Sequence, residues 1–215
     1  MLTDNLLDLT HAAYLHPALI ASDSTDRTRV SIEQEGDELI YRMCVDDEPV
    51  NSTLFKLFWD REEETAFFWN NLHWMAPSHI IHNVGMTPKG VRSEDAPAAP
   101  TAHLITPATD SATHYFWASA RNRRVEDDDI THQMHAMIAH AFDNEDGPMI
   151  KQAFGNMGGQ EFWALRPVIL AGDAAGVRAR RILQKLIRAE FRATDAEDIE
   201  ESDFGNPRPL SVGAV

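Results

Sequence analysis

Asp8, His11 and His16 fall in the run Asn5-Leu-Leu-Asp8-Leu-Thr-His11-Ala-Ala-Tyr-Leu-His16-Pro17, on a segment that otherwise reads as an apolar helix. Two imidazoles and a carboxylate this close suit a metal. With one more carboxylate from a distant position, the set becomes a 2-His-1-carboxylate face, which holds non-haem Fe(II) and leaves coordination positions open. Regular helical geometry does not deliver it. Residues five apart on a helix are rotated by about 140°, so His11 and His16 do not share a face. Pro17 disfavours helical backbone at His16, which lets the helix end there and frees the second imidazole. Asp8 and His11, three apart, lie on neighbouring faces. Asp8 therefore suits accepting a hydrogen bond from a ligand imidazole or from the backbone beside it.

These positions need elements to hold them. The chain has 215 residues, 43% of them hydrophobic, enough for one domain with a proper core. Residues 3–16 carry apolar side chains at helical spacing, with Leu6, Leu7, Leu9, Ala13 and Tyr14 as the side to bury. A polar loop follows at 22–27, then strand-like runs at 29–34, 38–45, 66–74, 79–86, 102–106 and 114–120. Glu35-Gly-Asp37 reads as a turn, and the Ala/Pro-rich stretch 96–100 as a long hairpin loop. The aromatic cluster from Phe67 to Trp74 reads as core.

The second half changes character. Residues 128–155 have helical periodicity, with Met134, Ile138, Ala141 and Phe142 on one side, then Met149, Ile150 and Phe154. Gly147-Pro148 predicts that one helix ends and another begins there. His132, His135 and His140 lack a carboxylate at matching spacing and read as surface or cavity histidines. Asp173 is placed to cap a final helix with an apolar stripe from Val177 to Phe191. Arg178-Ala-Arg-Arg181 reads as a solvated face. The expected division is a domain over 1–194 and an acidic, mobile tail over 195–215. Helices before and after an antiparallel sheet make an α+β plan.

The net charge of −15 argues against a nucleic-acid backbone or an anionic membrane surface as partner. No apolar run is long enough to span a bilayer, and a cytoplasmic location is the expectation. Cys44 is the one cysteine, which excludes an internal disulfide and a cysteine-ligated iron–sulfur cluster or structural zinc site built from this sequence alone.

The run from Asn5 to Pro17 resembles the iron-binding segment of Rieske-type non-haem iron oxygenases, the vanillate O-demethylase oxygenase group in particular. A second match lies far downstream. Phe142-Asp143-Asn144-Glu145-Asp146-Gly147-Pro148-Met149 resembles the Glu-Asp-x-Pro segment whose aspartate supplies the third iron ligand. His114 to Asn122 is similar to the strand preceding that helix, and Gly172 to Arg181 to the closing helix. The matches keep the family's order and span the chain apart from the tail.

The resemblance implies that His11, His16 and Asp146 hold a mononuclear Fe(II), with Asp143 and Glu145 the other acids of that segment. It implies that Asp8 is the electron bridge to the Rieske 2Fe-2S cluster of a neighbouring subunit. The implied fold is the helix-grip fold of the Bet v 1 and START type, a curved antiparallel sheet folded over a long helix around the substrate cavity. His82 and His103 fall where O-demethylating members contribute polar contacts to an aromatic acid or its ring substituent. Met137 falls where a helix side chain faces the same cavity. The implied reaction is O2-dependent O-demethylation or hydroxylation of a small aromatic acid, with electrons from a reductase or ferredoxin and a homotrimer as the common assembly.

The family's Cys-x-His and Cys-x-x-His cluster ligands are absent from this sequence, and Met1 stands seven residues before Asp8. The expectation is a catalytic domain without its Rieske domain: a fragment, a truncated product or one piece of a split system. The 2Fe-2S cluster is then expected from a missing domain or a separate chain, and the isolated chain is expected to bind iron but turn over little. The rival reading is a non-catalytic helix-grip module binding an apolar aromatic ligand.

Overall fold

Alternation of apolar and polar side chains builds the centre of the molecule. The computed structural model describes residues 1–16, 27–50, 53–57, 59, 64–88 and 96–204, with side chains described to residue 192. Six strands pair antiparallel with their sequence neighbours in one open sheet, in the order β1 to β6. They are β1 Arg29–Glu35, β2 Glu38–Pro49, β3 Thr65–Met75, β4 His79–Thr87, β5 Ala98–Thr109 and β6 Ala112–Ser119. Side chains two apart along a strand share a face. Leu39 and Tyr41 of β2, Phe68, Leu72 and Trp74 of β3, and Ile80 of β4 accordingly form a buried inner face.

A positive φ explains one glycine and a close approach another. Gly36 takes φ 61° in the hairpin between β1 and β2, a conformation that favours glycine. Gly85 lies under Trp69, its cross-strand partner, and a Cβ there would meet the indole at 2.0 Å. The 96–100 stretch departs from its expectation as a loop, because β5 begins at Ala98. Pro100 has no N–H to give the sheet, but its carbonyl accepts from the backbone N–H of Ala120 at 2.8 Å.

The helices cover the inner face. The expected helix over 3–16 is instead two short ones, α1 Leu2–Leu7 and α2 Ala12–Leu15. Asp8 breaks it. Its backbone turns extended (φ −97°, ψ 90°), and its carboxylate takes the N–H and hydroxyl of Thr10, a local bond that competes with helix. Leu6, Leu7 and Leu9 are buried, whereas Tyr14, expected to pack, is exposed. Pro17 and the 22–26 part of the polar loop lie outside the described residues. The one-turn helix α3, Thr53–Lys56, has no counterpart in the sequence reading and buries Leu54 and Phe55.

Helix α4, Asp128–His140, starts where the Asp127 side chain accepts the Ile130 N–H at 3.2 Å. Ile130, Met134 and Ile138, one turn apart, are its buried stripe. Ile130 and Met134 join a core cluster with Val45, Phe55, Phe68 and Met86. The expected break at Gly147-Pro148 is not an end. A π-helical segment, Ala141–Asp146, carries α4 directly into α5, Gly147–Asn156. Asp173 also acts differently from its expectation as a forward cap, because its carboxylate reaches back to the Leu170 N–H at 2.7 Å.

The chain forms two compact units, Met1–Ala179 and Arg180–Val215. Helix α6, Ala174–Phe204, passes residue 194, where the sequence reading ends the domain. That division remains a proposal, and residues 205–215 of the expected tail lie outside the described residues. Among the described residues, no helix is long and apolar enough to cross a membrane.

Candidate metal centre

The break at Asp8 sets up the two imidazoles. His11 is the residue before α2 and His16 the residue after it, so neither belongs to a regular helical turn. His16 leaves with φ −119° and ψ 48°, which removes the angular offset that a continuous helix imposes. The two rings stand edge to face with centroids 5.2 Å apart.

Asp146 arrives from the other end of the unit. A proline inside a helix removes one donor and crowds the carbonyl four residues back, here that of Asn144. The wider π turn ahead of Pro148 takes up that mismatch, and π segments of this kind recur at functional sites. Asp146 closes the segment and is buried at 4% exposure.

The three side chains converge. Nε2 of His11 lies 3.4 Å from Oδ1 of Asp146, and Nε2 of His16 lies 3.3 Å from the same oxygen. One donor atom from each of the three residues falls within 4.8 Å of the others. Each imidazole is held by its far nitrogen. Nδ1 of His11 bonds the backbone carbonyl of Asp8, and Nδ1 of His16 meets Oε2 of Glu145 at 2.6 Å. With both Nδ1 atoms engaged outward, both Nε2 atoms face the carboxylate, as metal-binding histidines require. Ligands about 2.1 Å from an ion and at right angles to one another stand about 3 Å apart, so this donor set fits a metal ion.

The electrostatics agree with the crowding. Burial raises the Asp146 carboxyl, but the His11, His16 and Asn5 contacts outweigh it and hold the group well below the usual carboxylate range. Burial lowers His16, and Asp146 and Glu145 overcome it, leaving the imidazole raised. Asn5 donates from Nδ2 to Asp146 Oδ1 at 2.9 Å.

Beside the centre lies a cavity of about 90 Å3, walled by apolar groups that include Leu6, Leu54, Val84, Ile138 and Phe142. Its polar side is a diagonal across four strands. His82 Nε2 meets Asn70 Oδ1 at 2.5 Å, His82 and His103 stack at 6.0 Å, and His103 Nδ1 meets the Tyr115 hydroxyl at 2.7 Å. Register explains the row. His82 pairs with Leu72, His103 with Ile80 and Tyr115 with Ile105, so each member is a diagonal neighbour of the last on the inner face. Burial lowers His82 to about 3, with lesser contributions from His103 and His11, and burial lowers His103 to about 4. Both imidazoles are neutral at neutral pH.

His82 and His103 thus line the cavity. Met137 does not share that wall. It packs against the core cluster, and α4 and the π segment present Ile138, Ala141 and Phe142 instead. Asp143 is exposed, and Glu145 is the acid that braces His16. The Asp8 carboxylate turns to Thr10, and the backbone oxygen of Asp8 is what reaches His11. His132 and His140 are exposed on α4, and His135 lies against Trp117 with ring centroids 5.3 Å apart. Arg178 donates to the Ile32 carbonyl at 2.9 Å.

Sequence reasoning did not assign roles to Asn5, Glu145, Asn70 or Tyr115. Glu145 was one residue from a named candidate. Asn70 and Tyr115 carry no local signal, because their partners are set by strand register.

Comparison with known proteins identifies relatives of this chain. Residues 1–189 match the vanillate O-demethylase oxygenase C-terminal domain. The oxygenase component of chloroacetanilide N-alkylformylase from Rhizorhabdus wittichii is 35% identical over 193 residues, 89% of this chain and 55% of that protein. The vanillate O-demethylase oxygenase subunit of a Pseudomonas species is 33% identical, over 92% of this chain and 61% of that protein. The crystal structure of dicamba monooxygenase bound to 3,6-dichlorosalicylic acid superposes with a TM-score of 0.78 at 27% identity, over 88% of this chain and 55% of that one. The α+β fold is therefore of the helix-grip class expected. The chain spans little more than half the length of the curated relatives it matches.

Proposed function

Because the chain belongs to the vanillate O-demethylase oxygenase C-terminal domain family, we propose that it is the catalytic domain of a Rieske-type non-haem iron monooxygenase. The reaction is O2-dependent O-demethylation or hydroxylation of a small aromatic compound. The observation that carries this reading is the convergence of His11, His16 and Asp146 with both Nδ1 atoms tied away from the centre. These three residues would hold a mononuclear Fe(II), and the ion would supply the redox chemistry that activates dioxygen. For a methoxy substrate, O2, two electrons and two protons convert the ether to a phenol, formaldehyde and water.

The chain's own residues do the rest. Asp8 and Glu145 fix the imidazoles, and Asn5 holds the Asp146 carboxylate, so the donor set is formed in advance. The apolar wall positions the ring and excludes water, while His82 and His103 orient the polar substituent. With one cysteine, this sequence does not ligate a 2Fe-2S cluster by itself. Electrons come instead from a cluster carried elsewhere, fed by a reductase or ferredoxin, and enter at Asp8. The relatives' names as oxygenase components and subunits accord with a separate electron donor. The cytoplasm, which holds such donors, is the proposed location.

Metal analysis tests the reading. Anaerobic titration with ferrous iron should reach one equivalent per chain, and His11→Ala should abolish it. Tight binding of an aromatic ligand with no iron uptake would instead support the non-catalytic module.

A further inference from the structure

The cavity beside the metal centre is small for the ligand proposed to fill it. A protein cavity of about 150 Å3 takes a single benzene ring. This one has about 90 Å3. A substituted ring needs room that its walls do not enclose.

A groove of about 500 Å3 adjoins it, between β6 and α4. Side chains along a strand alternate between faces, yet residues 115–121 wall the groove without a gap, so it runs along the strand's edge. β6 is the last strand of the open sheet, and no strand among the described residues covers that edge. The opposite wall is Thr131, Met134, His135 and Ile138, one stripe of α4.

The two spaces meet. Ser119 and Ile138 wall both of them. Phe142 walls the cavity and stands edge to face on Trp117 of the groove, with ring centroids 5.4 Å apart. What divides the spaces at this point is side chains, which change rotamer without unfolding the backbone.

The chemistry of the groove defines what it takes. Arg121 is the one arginine or lysine among its described walls. Its guanidinium already donates to Thr131 Oγ1 at 2.9 Å and to the carbonyls of Arg124 and Asp127 at 2.7 Å each. The surface left to a ligand is Phe116, Trp117 and Met134, with the His135 ring lying against Trp117. Such a surface favours hydrocarbon over charge.

We propose that this groove is an outer subsite of the cavity, and that the ligand is an elongated aromatic compound. Its reacting end lies by the metal centre, and its apolar substituent passes Ser119 and Ile138 to lie against Trp117. The proposal rests on the cavity being the substrate site proposed above, and extends that reading from a small aromatic compound to one with a hydrocarbon arm.

Calorimetry on the full chain, with and without ferrous iron, compares methoxybenzene with 1-butyl-4-methoxybenzene. Each buried methylene tightens binding by about fourfold, so the butyl compound should bind at least about tenfold more tightly. His135→Glu on the helix wall and Ala120→Asp on the strand wall place a carboxylate in the groove at exposed positions, where both variants should fold. Each should cancel the gain from the butyl chain and leave methoxybenzene unchanged. In the bound wild-type protein, the terminal methyl of the butyl chain should show a nuclear Overhauser contact to the Trp117 indole. Equal affinity for the two compounds overturns the proposal, as does binding of neither, a gain that survives both charges, or absence of the Trp117 contact. Iron uptake is read separately: a chain that takes up no iron yet keeps the butyl preference and the Trp117 contact loses the oxygenase reading alone.

Discussion

Glu145 Oε2 lies 2.6 Å from Nδ1 of His16, and this contact turns the opposite nitrogen of the ring toward Asp146. The acid beside the third candidate ligand therefore orients the second. If the centre binds iron, Glu145→Gln should keep one equivalent at saturation but lower affinity by about 10–100-fold, the usual effect of losing such a partner. Competition with a chelator measures it. Unchanged affinity would show that His16 is oriented without Glu145.

Pro148 should govern where Asp146 sits. Pro148→Ala restores a backbone N–H and permits a regular helix through Ala141–Asp146 in place of the π segment. Iron affinity should fall by at least about tenfold while the far-ultraviolet circular dichroism keeps its helical signal. Retained affinity would mean that the wide turn holds without the proline.

The Trp69 and Gly85 pair should tolerate no added side chain. A Cβ at residue 85 lies 2.0 Å from the indole, so Gly85→Val forces the Trp69 side chain to move. Overpacking typically costs about 1–3 kcal/mol, read as a lower urea midpoint with unchanged slope.

Stability should depend on the buried histidine row. Burial pushes the folded His103 imidazole down to about 4, whereas in the unfolded chain it has the ordinary histidine value of about 6.5. Folded His103 is neutral, so as pH falls below 6.5 the unfolded chain takes up the proton first and stability drops until pH passes about 4. The loss is on the order of 3 kcal/mol by 1.36 kcal/mol per unit. Urea unfolding at neutral pH and at about pH 4.5 should show it, and His103→Gln should flatten the dependence.

Substitution of Asp8 tests its proposed role as the electron bridge. Its carboxylate accepts from Thr10, a bond that an asparagine oxygen can also make. Asp8→Asn should leave iron uptake unchanged and, with the complete electron-transfer partners present, lower product formation by at least about tenfold. Equal losses of both would place Asp8 in the fold alone.

Much of this molecule is legible along the chain. Strand positions followed from period-two alternation, and α4 from Asp127 and the apolar stripe Ile130, Met134 and Ile138, because these signals act between near neighbours. The helix expected over 3–16 failed at Asp8, where a side-chain bond to Thr10 competes with the backbone ladder. The break expected at Gly147-Pro148 failed because widening a turn relieves a proline as well as ending the helix does.

His11 and His16 became candidates through residue type and spacing, and Asp146 through the resemblance of its Glu-Asp-x-Pro segment to the family's, all of which the sequence by itself carries. Which nitrogen of each histidine faces inward was decided only by the tertiary structure, since it depends on Asp8's carbonyl and on Glu145, 129 residues from His16. The row from Asn70 through His82 and His103 to Tyr115 is likewise a product of register. Local periodicity says which face a side chain takes. Only the pairing of strands says which side chain stands beside it.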